Sequence, residues 1–282
     1  MSERARDDLR AGDVAGALDR LQDDVRRRPQ DVRLRVFLFQ LLVVRGDWER
    51  AKRQLAVAAD LDPECKLLAQ AYGALIDAER GREHVFAGDR HATVMGEPPG
   101  WLGELALALT ESAAGRHPVA AELRASALEA APAVPGRLDD TPFAWIADAD
   151  PRLGPVVELV VHGRYFWAPM SGLARLDFGP VEDLRDLVWL PVEVTWRDGT
   201  ATTAFVPTRY PGSGGADGNL ALARTTAWHP LDPAGGEAGP AAGLGQRMWA
   251  TDVDDYGMLE SRSLVFDVPG GDTAAAEAAG DG

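Results

Sequence analysis

Two stretches decide how the first half of this chain reads: GDVAGALDRLQDDVRRRP at residues 12–29 and GDWERAKRQLAVAADLDP at residues 46–63. Glycine and proline each return after 34 residues, the period of tetratricopeptide helix pairs. A third segment, residues 115–132, has the same glycine-to-proline spacing. Alanine, leucine and arginine dominate here, and apolar residues recur at steps of three and four, the helical signature. Small or apolar residues occupy the places where paired helices must approach: Ala51, Leu55 and Ala58 before Pro63, and Ala120 and Ala127 before Pro132. Tyr72-Gly73, in a helix expected over residues 66–80, fits the large-then-small step of a first helix. The repeat is degenerate, with Phe39 at a small position and Asp24 at an alanine position. Residues 81–100, with Gly88, Gly96, Pro98 and Pro99, are expected to form a loop insertion.

Chain character changes at APAVPGRLDDTP, residues 131–142, where proline and glycine cluster. Beyond it, β-branched and aromatic runs alternate with turn signals: VVELVV (156–161), RYFWAP (164–169), LVWLPVEVTW (187–196), ATTAFVP (201–207), LALART (220–225), RMWATDV (247–253) and RSLVFDV (262–268). His162-Gly163 and Asp198-Gly199 predict hairpin turns, because glycine tolerates positive φ. Residues 181–187, VEDLRDL, predict a single helical turn. The expected class is α+β, multidomain. A tetratricopeptide-like helical domain (1–136) precedes a mainly antiparallel β domain with minor helix (137–268). The segment 269–282 has too little apolar surface to order and is expected to be a disordered tail.

The chain carries 44 acidic and 29 basic side chains, a net charge of −15, which argues against nucleic acid as the main partner. The charge sits in the second half: residues 1–136 hold 22 acidic and 19 basic side chains, residues 137–282 hold 22 and 10. A single cysteine, Cys65, excludes an internal disulfide and a Cys-rich zinc site. The sequence shows neither a secretory leader nor an apolar run long enough to span a bilayer, so a cytoplasmic location and no membrane partner are expected.

The segment DADPRLGPVVELVVHGRYFWAP, residues 148–169, raises the question of chemistry. Asp148, Asp150 and His162 could serve a hydrolase or a metal-dependent enzyme, but Asp-Ala-Asp-Pro before a strand is also ordinary turn capping. His162 beside Gly163 reads as a turn residue, and the five histidines show no i, i+4 pattern. Ser213 in PGSGG lacks the glycine two places before a nucleophile-elbow serine, so residues 211–215 read as a flexible surface loop. Arginines recur beside aromatics: Arg164 with Tyr165 and Trp167, Arg185-Asp186 with Trp189, Arg209-Tyr210, Arg224 with Trp228, and Arg247 with Trp249. Alternation in RYFWAP would place Tyr165 and Trp167 on one face and Arg164 and Phe166 on the other. These residues are read as a tryptophan-filled core whose arginines fasten loops to aspartates such as Asp148, Asp186 and Asp252. No catalytic residue, metal or cofactor is expected.

The segments FAWIADADPRLGPVVELVVHGRYFWAP, DLRDLVW, VPTRYPGS, LARTTAW, GQRMWATD and LESRSLVFD together resemble the ImpE (SciE/TagJ-like) accessory proteins of bacterial type VI secretion. The likeness covers most of residues 143–267 and rests on Trp145, Asp148, Asp150, Arg152, Arg164, Trp167, Arg185, Asp186, Trp189, Arg209, Tyr210, Arg224, Gln246, Arg247 and Asp252. It departs at Gly214, where the family pattern carries a glutamate, and in an expanded loop at 232–243. The resemblance implies a non-enzymatic cytoplasmic adaptor. Such a protein would bind the small subunit of the contractile sheath through that subunit's N-terminal helix, with a link to ClpV, the AAA+ ATPase that disassembles contracted sheaths.

Stacked helix pairs present a concave surface that can hold an amphipathic helix. The repeat register assigns Val36, Gln40 and Val43 to that surface from one first helix, Leu67 and Gln70 from the next, and Leu102, Leu105 and Leu109 from the last. Those three leucines form a second apolar stripe beside Trp101, Leu107 and Ala108. The stripe either lines a groove or is buried against the C-terminal domain.

Overall fold

A computed structural model describes residues 3–234, 236 and 239–267. The tail expected at 269–282 lies outside them. The first half folds as seven helices: α1 (Glu3–Arg10), α2 (Val14–Arg27), α3 (Val32–Val44), α4 (Trp48–Leu61), α5 (Cys65–Phe86), α6 (Gly100–Ala113) and α7 (His117–Ala130). The repeated Gly-Asp has a local cause. Gly12, Gly46 and Gly115 take φ of 81°, 69° and 76° in the turns of the hairpins α1–α2, α3–α4 and α6–α7. Asp13 and Asp47 then cap the following helix by accepting from the amides of Gly16 and Arg50. The loop expected from residue 81 begins later. Arg82 and Val85 extend the buried stripe of Ala78 and Glu79, so α5 continues to Phe86.

The second half contains β1 (Gly136–Leu138), β2 (Thr141–Phe143), β3 (Ile146–Asp148), β4 (Val156–Val161), β5 (Arg164–Pro169), β6 (Leu173–Phe178), β7 (Trp189–Trp196), β8 (Ala201–Pro207), the one-turn helix α8 (Gly218–Ala221), β9 (Thr226–Pro230), β10 (Ala241–Gly245), β11 (Met248–Thr251), β12 (Asp255–Gly257) and β13 (Ser263–Phe266). Eight strands form one sheet in the order β2-β1-β13-β6-β7-β8-β4-β5, antiparallel throughout. Smaller sheets are β12-β11-β3 and β10-β9. The β4–β5 turn holds His162 at φ 49° and Gly163 at φ 73°, the two positive values that a type I′ hairpin requires. Asp198-Gly199 joins β7 to β8, and residues 184–187 form a 3-10 turn closed by an Asp183–Asp186 capping box.

Two expectations fail here. LALART is not a strand, because Asp217 accepts from the amides of Asn219 and Leu220 and starts α8 instead. Nor is PGSGG a flexible loop. Ser213 is buried and donates to the carbonyl of Tyr210 at 2.6 Å, and the segment packs onto the helical turns. A Cβ at Gly214 would lie 2.8 Å from the Gly46 nitrogen, and one at Gly218 would lie 1.6 Å from the Gly12 carbonyl oxygen.

Helices cover one face of the large sheet, and β4, every residue of which is buried, is covered on both faces. Helices α2–α5 share a core with Val160, Val188 and Trp189, while Leu102, Leu105 and Leu109 of α6 pack with Leu153, Val156 and Trp167. Apolar packing is therefore continuous across residue 136. Residues 93–95 lie along the outer strand β5: the Trp167 amide donates to Thr93 and the Met95 amide to Trp167, each at 2.8 Å.

Candidate functional site

A charged side chain inside an apolar strand must be paired, and Glu158 in VVELVV is fully buried. It accepts from Arg82 Nε at 2.7 Å, from Arg82 Nη2 at 2.8 Å and from the Tyr165 hydroxyl. Arg247 Nη1 stands 3.1 Å from its other oxygen. Arg82, from α5, also donates to Glu79 at 2.8 Å, and Glu79 accepts from the Trp189 indole at 3.0 Å. On the far side Arg247 donates twice to Asp148, at 2.8 and 2.7 Å, and Asp148 accepts from the Tyr210 hydroxyl at 2.9 Å. Among the described residues Arg209 has no carboxylate partner. It donates to the carbonyls of Val43 and Val44 at the end of α3 and of Ala221 in α8, where helix dipoles favour a cation. Three carboxylates, Glu79, Glu158 and Asp148, thus face two guanidiniums, Arg82 and Arg247, in a buried network joining the helices to the sheet, with Arg209 held beside them by main-chain carbonyls.

Burial pushes the Asp148 carboxyl up to about 6, with Arg247 drawing it back and Asp150 adding to the rise. Burial would also raise Glu158, but Arg82 and Arg247 outweigh it and hold that carboxyl below its ordinary value. Arg209 is lowered to about 10 by burial, against the pull of Glu79.

Beside this network, between α5 and strands β4 and β8, runs an open groove of about 670 Å³. Leu67, Gln70 and Leu75 line one wall, Val160 and Phe205 the other, and His162 the rim. Leu67 is 79% exposed, a large apolar side chain with none of the described residues covering it. The hairpin closes one end tightly: a Cβ on Gly163 would sit 2.7 Å from that of Ala74.

A family model described as ImpE protein matches residues 140–265. The chain is also 45% identical to the type VI secretion system accessory component TagJ of Pseudomonas aeruginosa, across 92% of this chain and 89% of that protein. The chain belongs to the ImpE family. A crystal structure of protein VPA1032 from Vibrio parahaemolyticus is similar, with a TM-score of 0.85 at 25% identity over 94% of this chain and 97% of that one.

In this ImpE protein most of the residues that carry the likeness fasten one segment of the chain to another. Asp150 accepts from Arg152 and from the amide of Gly243 at 2.9 Å, and Arg152 lies over Phe86 at 5.1 Å. Asp186 accepts from the amides of Glu182 and Asp183, and Arg185 covers Tyr72 at 4.8 Å. Gln246 bonds Ala223 and Leu259, Arg224 caps the end of α1, and Asp252 accepts from Ala144 and, at 3.4 Å, from the half-exposed Trp145. The indole of Trp167 donates to Tyr165 at 2.6 Å, so those two rings share a face as alternation requires, while Arg164 lies over Phe166 on the other. Asp148 and His162 do not meet. The six-residue strand β4 separates their turns by roughly 17 Å at 3.3 Å per residue.

The expected partner surface needs correction. Leu102, Leu105 and Leu109 are buried against the β half, and Val43 lies in the helical core. Gln40 is buried and accepts from the Leu184 amide at 3.0 Å, while Val36 is only half-buried in α3. The concave side is filled by the protein's own sheet, because a second apolar stripe on a helix is satisfied by whichever surface reaches it first. Of the residues assigned to the surface, the structure brings only Leu67 and Gln70 to the open groove. Glu79, Arg82 and Glu158 were not singled out from sequence. The signal available was a glutamate amid five aliphatic neighbours in VVELVV.

Proposed function

We propose that this chain is a non-enzymatic adaptor of a type VI secretion system, working in the cytoplasm. In this reading the groove between α5 and β4–β8 captures the N-terminal helix of the small sheath subunit, and the bound adaptor links the sheath to the AAA+ ATPase ClpV. Family membership supports the biological setting. The observation that carries the capture site is Leu67, 79% exposed beside a groove open enough for apolar side chains of a guest helix. The helical half is read as tetratricopeptide-like pairs that hold α5 rigidly for this contact. No helix of the described residues is long and apolar enough to cross a membrane.

The test is fluorescence anisotropy with a labelled peptide of the sheath subunit's first helix. Leu67→Asp should weaken binding at least about tenfold, since burying one leucine is worth about 1.5–3 kcal/mol, and should leave thermal stability unchanged. Leu105→Asp, by contrast, should disrupt folding, because its side chain is enclosed. Equal affinity of Leu67→Asp and wild type would remove the groove as the docking site. Retained pull-down of a sheath subunit lacking that helix would remove helix capture altogether.

A further inference from the structure

Arg124 on α7 is 5% exposed and makes neither a hydrogen bond nor an ion pair among the described residues. A guanidinium in that position needs a counter-charge, because an unpaired buried cation is strongly unfavourable. The nearby Asp150 already accepts from Arg152, so this cluster holds two guanidiniums and one carboxylate. Arg124 lines a cavity of about 250 Å³ between α7, the end of α6 and the segments flanking β9 and β10. His117, two helical turns earlier on α7, lines the same space, and its Nδ1 is buried without a partner among the described residues. Ser112 adds a hydroxyl, and α7 begins there without a side-chain cap, leaving its positive end open.

We propose that this cavity binds a carboxylate carried on a short apolar body. The carboxylate would pair with the Arg124 guanidinium, with the His117 and Ser112 side chains as further hydrogen-bonding partners. Pro118, Ala121, Leu231 and Pro240 would enclose the apolar part. A phosphate dianion fits less well than a carboxylate: the walls offer little to solvate a second charge, and the Asp232 carboxylate at the lining repels two charges more than one. The body could belong to a free small acid or to a partner peptide. Both present the same chemistry.

The experiment is a titration of the full chain with butyrate, benzoate and inorganic phosphate, followed by amide NMR shifts. A capped peptide ending in a leucine α-carboxylate distinguishes the peptide source from the free acids. Saturable shifts on α7 with the carboxylates, about tenfold or more weakened in Arg124→Leu, are expected, because a charge-assisted hydrogen bond is lost. Thermal melting of Arg124→Leu should show no loss of stability, which separates loss of a ligand from loss of the fold. Absence of saturable carboxylate binding, equal binding by Arg124→Leu, or tighter binding of phosphate would overturn the proposal. The sheath-helix assay uses a different groove, so either result stands without the other.

Discussion

Replacing Glu158 by glutamine tests whether the buried network fastens the helices to the sheet. The change is nearly isosteric and leaves the apolar packing of β4 in place. It removes the charge that faces Arg82 and Arg247. Of the two charge-assisted hydrogen bonds from Arg82, at 2.7 and 2.8 Å, one would keep a neutral carbonyl acceptor and the other would meet an amide NH2. Losing one such bond costs about 1.5–3 kcal/mol, and removing the charge of one member of a buried pair costs about 3–5 kcal/mol. The expected loss is therefore about 4 kcal/mol, and the midpoint of thermal unfolding should fall by about 10 °C for a chain of this size. Urea unfolding followed by tryptophan fluorescence measures it directly, with an unchanged denaturant slope showing that the unfolded state is not responsible. Asp177→Asn, which breaks the exposed Arg175 pair, is the control and should change stability little. A loss from Glu158→Gln no larger than that of the control would refute the role given to the network.

The Asp148 carboxyl has a folded value near 6, above its ordinary 3.8, so the native state binds the extra proton between those limits. Its contribution to stability therefore rises as pH falls from about 7 towards 4, at up to about 1.4 kcal/mol per pH unit for one proton. Glu158, held low, acts in the opposite sense, its contribution present above the unfolded value and lost as pH falls through the folded one. The difference between wild-type and Asp148→Asn stability over this range isolates the first effect, and parallel curves would contradict it. Gly218→Ala would force a methyl group against the Gly12 carbonyl, where backbone cannot yield, and should cost about 1–3 kcal/mol or more. Gly215→Ala, with open space around it, is the matched control, and equal melting of the two variants would show that the loop is not seated as described.

What the sequence makes legible is local. Gly12-Asp13, Gly46-Asp47, His162-Gly163 and Asp198-Gly199 each specify a turn through their own φ preferences and caps, so the helical hairpins and two β hairpins can be read before any contact is known. The strand bounds of β4, β5 and β8 follow from β-branched runs ending at those turns. What is not legible depends on which surface meets which. Leu102, Leu105 and Leu109 have the same spacing whether a guest or the chain's own sheet covers them. Residues 211–219 have the composition of a free loop, and only the glycine of a distant turn shows why small residues stand there. Arg124 carries no mark in the sequence, since no pattern signals a missing partner.

The outer rim of the large sheet limits how any partner can approach. On β5, alternation turns the main chain of Tyr165, Trp167 and Pro169 outward; Trp167 is already engaged by residues 93–95, and proline has no amide hydrogen to offer. At the opposite rim, β2 is three residues long with Pro142 at its centre. Neither margin can be lengthened by borrowing a strand from another molecule, which also guards against edge-to-edge stacking of copies. At this sheet, recognition falls to side chains.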